Sequence, residues 1–401
     1  MNEAGPTPVL LLGEGLTLLG AIRCFGRAGI PAFVLTGPDA LAQRSRWFRN
    51  LPSFSISPGD YEGLAALLSR LEIETAVLVP CSDPWAAAVS GLEPSLAERF
   101  PSVVADAEVI ELLVDKGKFG RLLAEMDIPH PRTFDLVCDA SLDQIPEDVL
   151  TRGFLKPRDS MAFVETYGTK AFDFSGRGEA KQLLQKTRDA GLSMMLQEYI
   201  PGAPDQHYFI DGVVDRCGAF SVLFARQRLR IHPARFGNST AVRSIALAEV
   251  SGAVASLQVL AERIRLRGIF SAEFKRDARD GVFKLIEVNP RPWWYVEFAA
   301  TCGADVCVPA YRDALGLPAG QHRRYRVDAR LVYPYHDWLA WRRQKPDGTS
   351  LVRMLAFWIG ASQARWRSDD PMPSVYSLAC DSRTWLQKKR SAKFKDKHVG
   401  N

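Results

Sequence analysis

Apolar residues in this chain come as short runs separated by helical stretches. Pro8–Gly13 (PVLLLG) is such a run, a helical pattern continues through Arg27, and Ala32–Leu35 is a second run. Strand, helix and strand in that order predict a parallel sheet. A helical stretch, Tyr61–Leu71, then precedes a strand at Ala76–Pro80 and the loop Cys81-Ser82-Asp83-Pro84, which repeats the unit. Gly13-Glu14-Gly15 with Gly20 misplaces its third glycine for a dinucleotide loop, and no acid closes the second strand. A tight strand–helix turn is expected instead, and it could face a substrate.

Further along, a helix opens at Val114-Asp115-Lys116 and runs to Met126, closed by Ile128-Pro129. Gly153–Pro157, Met194–Leu196 and His207–Ile210 read as strands. Val222–Arg230 (VLFARQRLR) alternates apolar and basic residues, so Arg226, Arg228 and Arg230 share one face. Three like charges on one face call for an anion. Trp293-Trp294-Tyr295 suit a pocket wall and core packing equally. An amphipathic helix is expected near Leu351–Ala364.

The chemically richest stretch is Gly268–Arg291. Two alternating runs, Ile269–Lys275 and Val282–Asn289, flank a polar turn ending in Asp280-Gly281, a hairpin signature. If the loop is odd-numbered and centred on Asp280, Glu273 faces Glu287, Phe274 faces Ile286 and Ala272 faces Val288. Glu273, Glu287 and Asn289 then share one face, with Arg291 continuing the line, while the other face is apolar. Two opposed carboxylates repel unless a cation lies between them. Two carboxylates and an amide oxygen suit a hard divalent cation, the alternative being a solvated hairpin face.

Composition narrows the class. At 401 residues the chain has room for about two to four domains. A hydrophobic share of 47% with 24% charged residues is that of an ordinary globular protein. Seven cysteines without disulfide-like spacing make a reduced, cytoplasmic compartment the expectation. No stretch reaches the length of a membrane span and no basic run precedes the first apolar one. The net charge of +5 sits partly in Lys388–Lys397, most simply a solvated tail, and no nucleic-acid partner is expected.

Glu273 followed by Glu287-Val288-Asn289-Pro290-Arg291 resembles the metal-binding end of the ATP-grasp superfamily, which includes biotin carboxylase and D-alanine–D-alanine ligase. The resemblance covers roughly residues 10–320. It implies an α/β (α+β) architecture: an N-terminal parallel α/β domain (1–110), two α+β lobes gripping ATP (111–193 and 194–320) and a C-terminal extension (321–401). By the same resemblance Glu273, Glu287 and Asn289 bind Mg²⁺, with Mn²⁺ a substitute, and Arg291 stands beside the transferred phosphoryl group and the substrate carboxylate. Lys156, ending its strand before Pro157, matches the lysine on the α-phosphate and adenine. Lys116 is a phosphate contact or a solvated helix lysine. Gln197-Glu198-Tyr199-Ile200 matches the adenine hinge, Asp205 the ribose acid, and Arg228 stands for the phosphate-binding member of its three-arginine strand.

The implied activity is that of an ATP-dependent carboxylate–amine ligase working through an acyl phosphate on small-molecule substrates. Arg158–Lys170 departs from the pattern, with one glycine where many relatives have a glycine-rich loop. Arg158, Ser160 or Lys170 would have to replace that loop's hold on the phosphates. The alternatives are a catalytically silent ATP-binding regulator and a module docked on anionic membrane through the C-terminal extension, the second less favoured.

Overall fold

A computed structural model describes residues 5–37, 39–51, 53–136, 140–320, 324–344 and 350–378. Three sheets organise it. β1 (Val9–Leu12), β2 (Ala32–Val34), β3 (Arg49–Asn50) and β4 (Val77–Pro80) form a parallel sheet in the order β3-β2-β1-β4. Val9 and Leu11 join one apolar cluster and Leu10 and Leu12 another, so β1 is covered on both faces. The expected glycine turn leads from β1 into the helix Gly15–Arg27. Gly13 has φ +138°, and a Cβ there would lie 2.8 Å from Cβ of Cys81. Only glycine lets the ends of β1 and β4 approach so closely.

β5 (Thr133–Asp135), β6 (Gly153–Pro157) and β7 (Met194–Glu198) make a small antiparallel sheet ordered β5-β7-β6. Leu155, Phe163, Leu184 and Leu196 pack it beneath the helices Ser160–Tyr167 and Arg177–Asp189. Because β7 pairs here, the small lobe's hydrogen bonding extends to Glu198, five residues beyond the expected boundary at 193.

The large sheet runs β12-β11-β8-β9-β10-β13-β14, with β8 at His207–Val214, β9 at Phe220–His232, β10 at Asn238–Ile245, β11 at Gly268–Arg276, β12 at Phe283–Asn289, β13 at Arg330–Val332 and β14 at Ser362–Gln363. One face is apolar: Ile210, Ala225, Ala272, Phe274 and Val288 pack with Leu257 and Leu260 of the helix Ser251–Ile264. The C-terminal extension therefore supplies two strands to this sheet. Its amphipathic helix is shorter than expected, Leu351–Trp358, because Ile359 turns extended and Gly360 takes φ +76° before β14. Of that helix Met354 is buried, while Val352 is 75% exposed. The basic stretch Lys388–Lys397 lies outside the described residues. Among the described residues the five cysteines are free and no helix is long and apolar enough to cross a membrane.

Candidate active site

The register of the large sheet puts its polar residues on one face. Glu273 pairs directly with Glu287, Ala272 with Val288 and Ser271 with Asn289. Glu273 also stands opposite Phe209, and Phe209 opposite Arg226. Strand alternation then brings His207, Asp211, Arg226, Arg228, Glu273, Lys275, Glu287 and Asn289 to a common face.

The expected pairing of the two glutamates is present, but the loop assumed for it is not. Beyond Glu273 the register shifts, and Phe274 pairs with Leu285 rather than Ile286. Ile286 is the extra residue of a β-bulge. The hairpin loop is thus even-numbered, and the bulge restores the opposition of the carboxylates.

Those carboxylates differ in their surroundings. Oε1 of Glu273 accepts from Arg228 Nη2 (3.2 Å) and contacts His207 Nδ1 (2.8 Å). Burial pushes the Glu273 carboxyl up, but Arg228 and His207 together hold it well below the usual carboxylate range. Burial, aided by the Arg228 charge, lowers the His207 pKa to about 4. Glu287 has no cation at ion-pair distance among the described residues, and its Oε1 accepts from Asn289 Nδ2 (3.2 Å). Asn289 Oδ1 in turn accepts from Arg291 Nη2 (3.2 Å). Oε2 of each glutamate is left without a protein donor among the described residues. Free carboxylate oxygens facing one another, one glutamate lacking any partner cation, fit a bound Mg²⁺ or Mn²⁺.

Arg291 is less free than expected. Asp83, the first residue of the helix Asp83–Ser90 that follows β4, grips its guanidinium at two points, Nε–Oδ1 2.8 Å and Nη2–Oδ2 3.2 Å. The three-arginine face is also largely neutralised within the protein. Arg226 is paired with buried Asp211 (2.6 Å) and Arg230 with buried Asp337 (2.7 Å). The anions their spacing called for are thus protein carboxylates, and Arg228 alone is bonded to a carboxylate of the metal set.

From the small lobe, Lys156 Nζ donates to Gln197 Oε1 (3.3 Å), and its charge acts on Glu273. Lys116 is not a solvated helix lysine. Its ammonium donates to the carbonyls of Pro157 (3.1 Å) and Arg158 (3.3 Å) and to Ser160 Oγ (2.7 Å). Burial, then the charge of Lys156, lowers its pKa to about 8, against the pull of Glu287 and Asp83. At the hinge, Ile200 is buried, the Tyr199 amide donates to Arg152 O (2.9 Å), and Glu198 is paired with Arg279 (2.7 Å). Asp205 sits in the turn Pro204–Gln206 that leads into β8. Trp293 and Tyr295 belong to the core rather than to a pocket wall, and Trp294 stacks on Tyr295.

His207 and Lys275 went unremarked in the sequence. Lys275 is buried, with its ammonium 4.3 Å from the Tyr199 ring centre, and burial lowers its pKa to about 8. The signal was the alternation His207-Phe209-Asp211, which places a titratable group beside Glu273 once β8 is known to pair with β11.

No protein-family model matches the sequence. The D-aspartate ligase of Enterococcus faecium is 24% identical over 302 residues, covering 70% of each chain. Among solved structures, the biotin carboxylase domain of Hydrogenobacter thermophilus 2-oxoglutarate carboxylase, in complex with MgADP and bicarbonate, superposes with a TM-score of 0.62. It shares 16% identity, covering 81% of this chain and 74% of that one. The chain has the ATP-grasp fold. A further ATP-grasp structure, the L-amino acid ligase of Bacillus licheniformis, gives a TM-score of 0.61 at 14% identity, covering 81% of this chain and 78% of that one. The three sheets are accordingly those of the ATP-grasp fold, with the Glu273–Glu287 hairpin at the edge of the large sheet.

Proposed function

We propose that the protein is an ADP-forming carboxylate–amine ligase. The observation that carries this reading is the direct opposition of Glu273 and Glu287 beside Asn289, with Arg291 bonded to Asn289 and the charges of Lys156 and Lys116 acting on the glutamates. Lys156, Lys116 and Arg228 would meet the phosphates. Gln197, Glu198, Tyr199 and Ile200 would border the adenine, and Asp205 the ribose. Glu273, Glu287 and Asn289 would hold Mg²⁺, which supplies charge neutralisation on the phosphate oxygens.

In the reaction so assigned, a substrate carboxylate oxygen attacks the γ-phosphorus and ADP departs. An amine nitrogen then attacks the acyl carbon and expels phosphate, leaving an amide. The side chains do little bond-making, so catalysis rests on positioning and on stabilising charge. Arg291 is suited to holding the carboxylate, since its planar fork already grips Asp83 at two points and an incoming carboxylate would compete for it. The ligase names of the relatives support an amino acid as one substrate.

A phosphate-release screen over pairs of amino acids and small carboxylic acids tests this reading. Release that needs ATP, one acid and one amine together is expected. Stoichiometric nucleotide binding with no acid-and-amine-dependent release would favour a silent regulator instead.

A further inference from the structure

In place of a glycine-rich loop the chain carries the helix Ser160–Tyr167, followed by a return segment after Gly168, whose φ is +68°. Phe172 pairs antiparallel with Leu155 through both backbone hydrogen bonds, 2.8 and 2.9 Å. Lys170 lies two residues before that pairing. The return segment also spans the cleft to the turn between β9 and β10. Arg235 is paired with Asp173 (2.7 Å), Phe236 packs on Phe154 with ring centres 4.9 Å apart, and Lys170 Nζ donates to Asn238 Oδ1 (2.6 Å).

Of the three side chains that could replace the loop, two are committed. Arg158 is paired with Asp115 and Asp135 (3.5 and 2.5 Å), and Ser160 accepts from Lys116. Among the described residues Lys170 has only a neutral amide as its hydrogen-bond partner. Asn238 adjoins Ser239, whose Oγ accepts from Arg228 Nε (2.9 Å), and Arg228 is bonded in turn to Glu273 (3.2 Å), so Lys170 stands one residue from the side chains that line the candidate metal centre. A cation with a neutral partner at the mouth of an anion site is available for exchange, because moving from an amide to a phosphate oxygen adds charge to its hydrogen bond.

We infer that Lys170 is the group that meets the terminal phosphate of the nucleoside triphosphate, leaving Asn238 to do so. The inference rests on the nucleotide reading of the site. It assigns to a side chain on the small lobe what backbone amides of a glycine-rich loop would otherwise do. Since only the triphosphate has this group, Lys170 distinguishes ATP from ADP.

The test is calorimetric binding of a non-hydrolysable ATP analogue and of ADP, each with Mg²⁺, to the full chain. Lys170→Ala should weaken the triphosphate analogue by about tenfold or more, the loss of a charge-assisted contact, while ADP affinity stays within about twofold. Lys170→Arg should retain much of the preference, and Asn238→Ala should leave the triphosphate bound at least as tightly as the parent does. Equal weakening of both nucleotides by Lys170→Ala would make the lysine a tie between the lobes and overturn the inference, as would no change in either. A parent that binds ADP well and the triphosphate no better would also overturn it, whereas a parent that binds neither would remove the nucleotide reading with it.

Discussion

Glu273 and Glu287 are fixed face to face by the backbone, yet among the described residues only Glu273 has a partner cation, Arg228, with His207 in contact but neutral at pH 7. Glu287→Gln should therefore abolish ADP formation. Without nucleotide its melting temperature should hold or rise slightly, since a like-charge clash is relieved. Near-parental turnover in this variant would remove the metal assignment. Lys116 makes a second prediction. Its proton leaves the free protein as pH rises through about 8, and a phosphate contact needs the cation. The Kd for ATP should be flat below that pH and rise above it, by up to about tenfold per unit. The sign follows from the pKa being lowered, and a flat titration between pH 7 and 9 would take Lys116 off the phosphates. Both glutamates and Lys156 were legible in the sequence, because alternation and a costly strand lysine are local signals. The grip of Asp83 on Arg291 was not, since it joins positions far apart in the chain.

At the scale of elements, β9 shows what periodicity leaves open. It placed Arg226, Arg228 and Arg230 on one face, but strand pairing decided that Asp211 and Glu273 would meet the first two, and a packed helix that Asp337 would meet the third. The hairpin shows the reverse case. The glutamate pairing follows from the sequence only under a wrong loop length, because a bulge cannot be read from residue types alone. Asp337, on the helix Pro334–Gln344, is buried and accepts from Arg230, Thr240 and Trp358, so it pins two C-terminal helices to β9 and β10. Asp337→Ala leaves Arg230 half-buried without its partner and should cost about 3 kcal/mol in denaturant unfolding. A loss below about 0.5 kcal/mol would mean that apolar contacts hold these helices unaided.

For the molecule as a whole, the parallel N-terminal sheet was readable from the order of apolar runs and the rest of the fold class from the family resemblance, whereas the joints between its parts were not. Arg23 is fully buried in the Gly15–Arg27 helix and binds Asp370 (2.9 Å) and Glu297 (3.1 Å), so the C-terminal extension is locked onto the N-terminal sheet. The sequence shows only two arginines on an otherwise largely apolar helix. The proposed site lies where these parts meet: Asp83 follows the first sheet, Lys116 opens the helix Lys116–Glu125, Lys156 and Lys170 come from the small lobe, and the carboxylates stand on the large sheet. The central claim is that a carboxylate attacks the γ-phosphorus to form an acyl phosphate. The most direct measurement supplies the active acid with heavy oxygen in its carboxyl group and analyses the released phosphate by mass spectrometry. One labelled oxygen per turnover should appear in the phosphate, and only when the amine is present to complete the reaction. Phosphate released with amide formation but carrying no label would contradict the account.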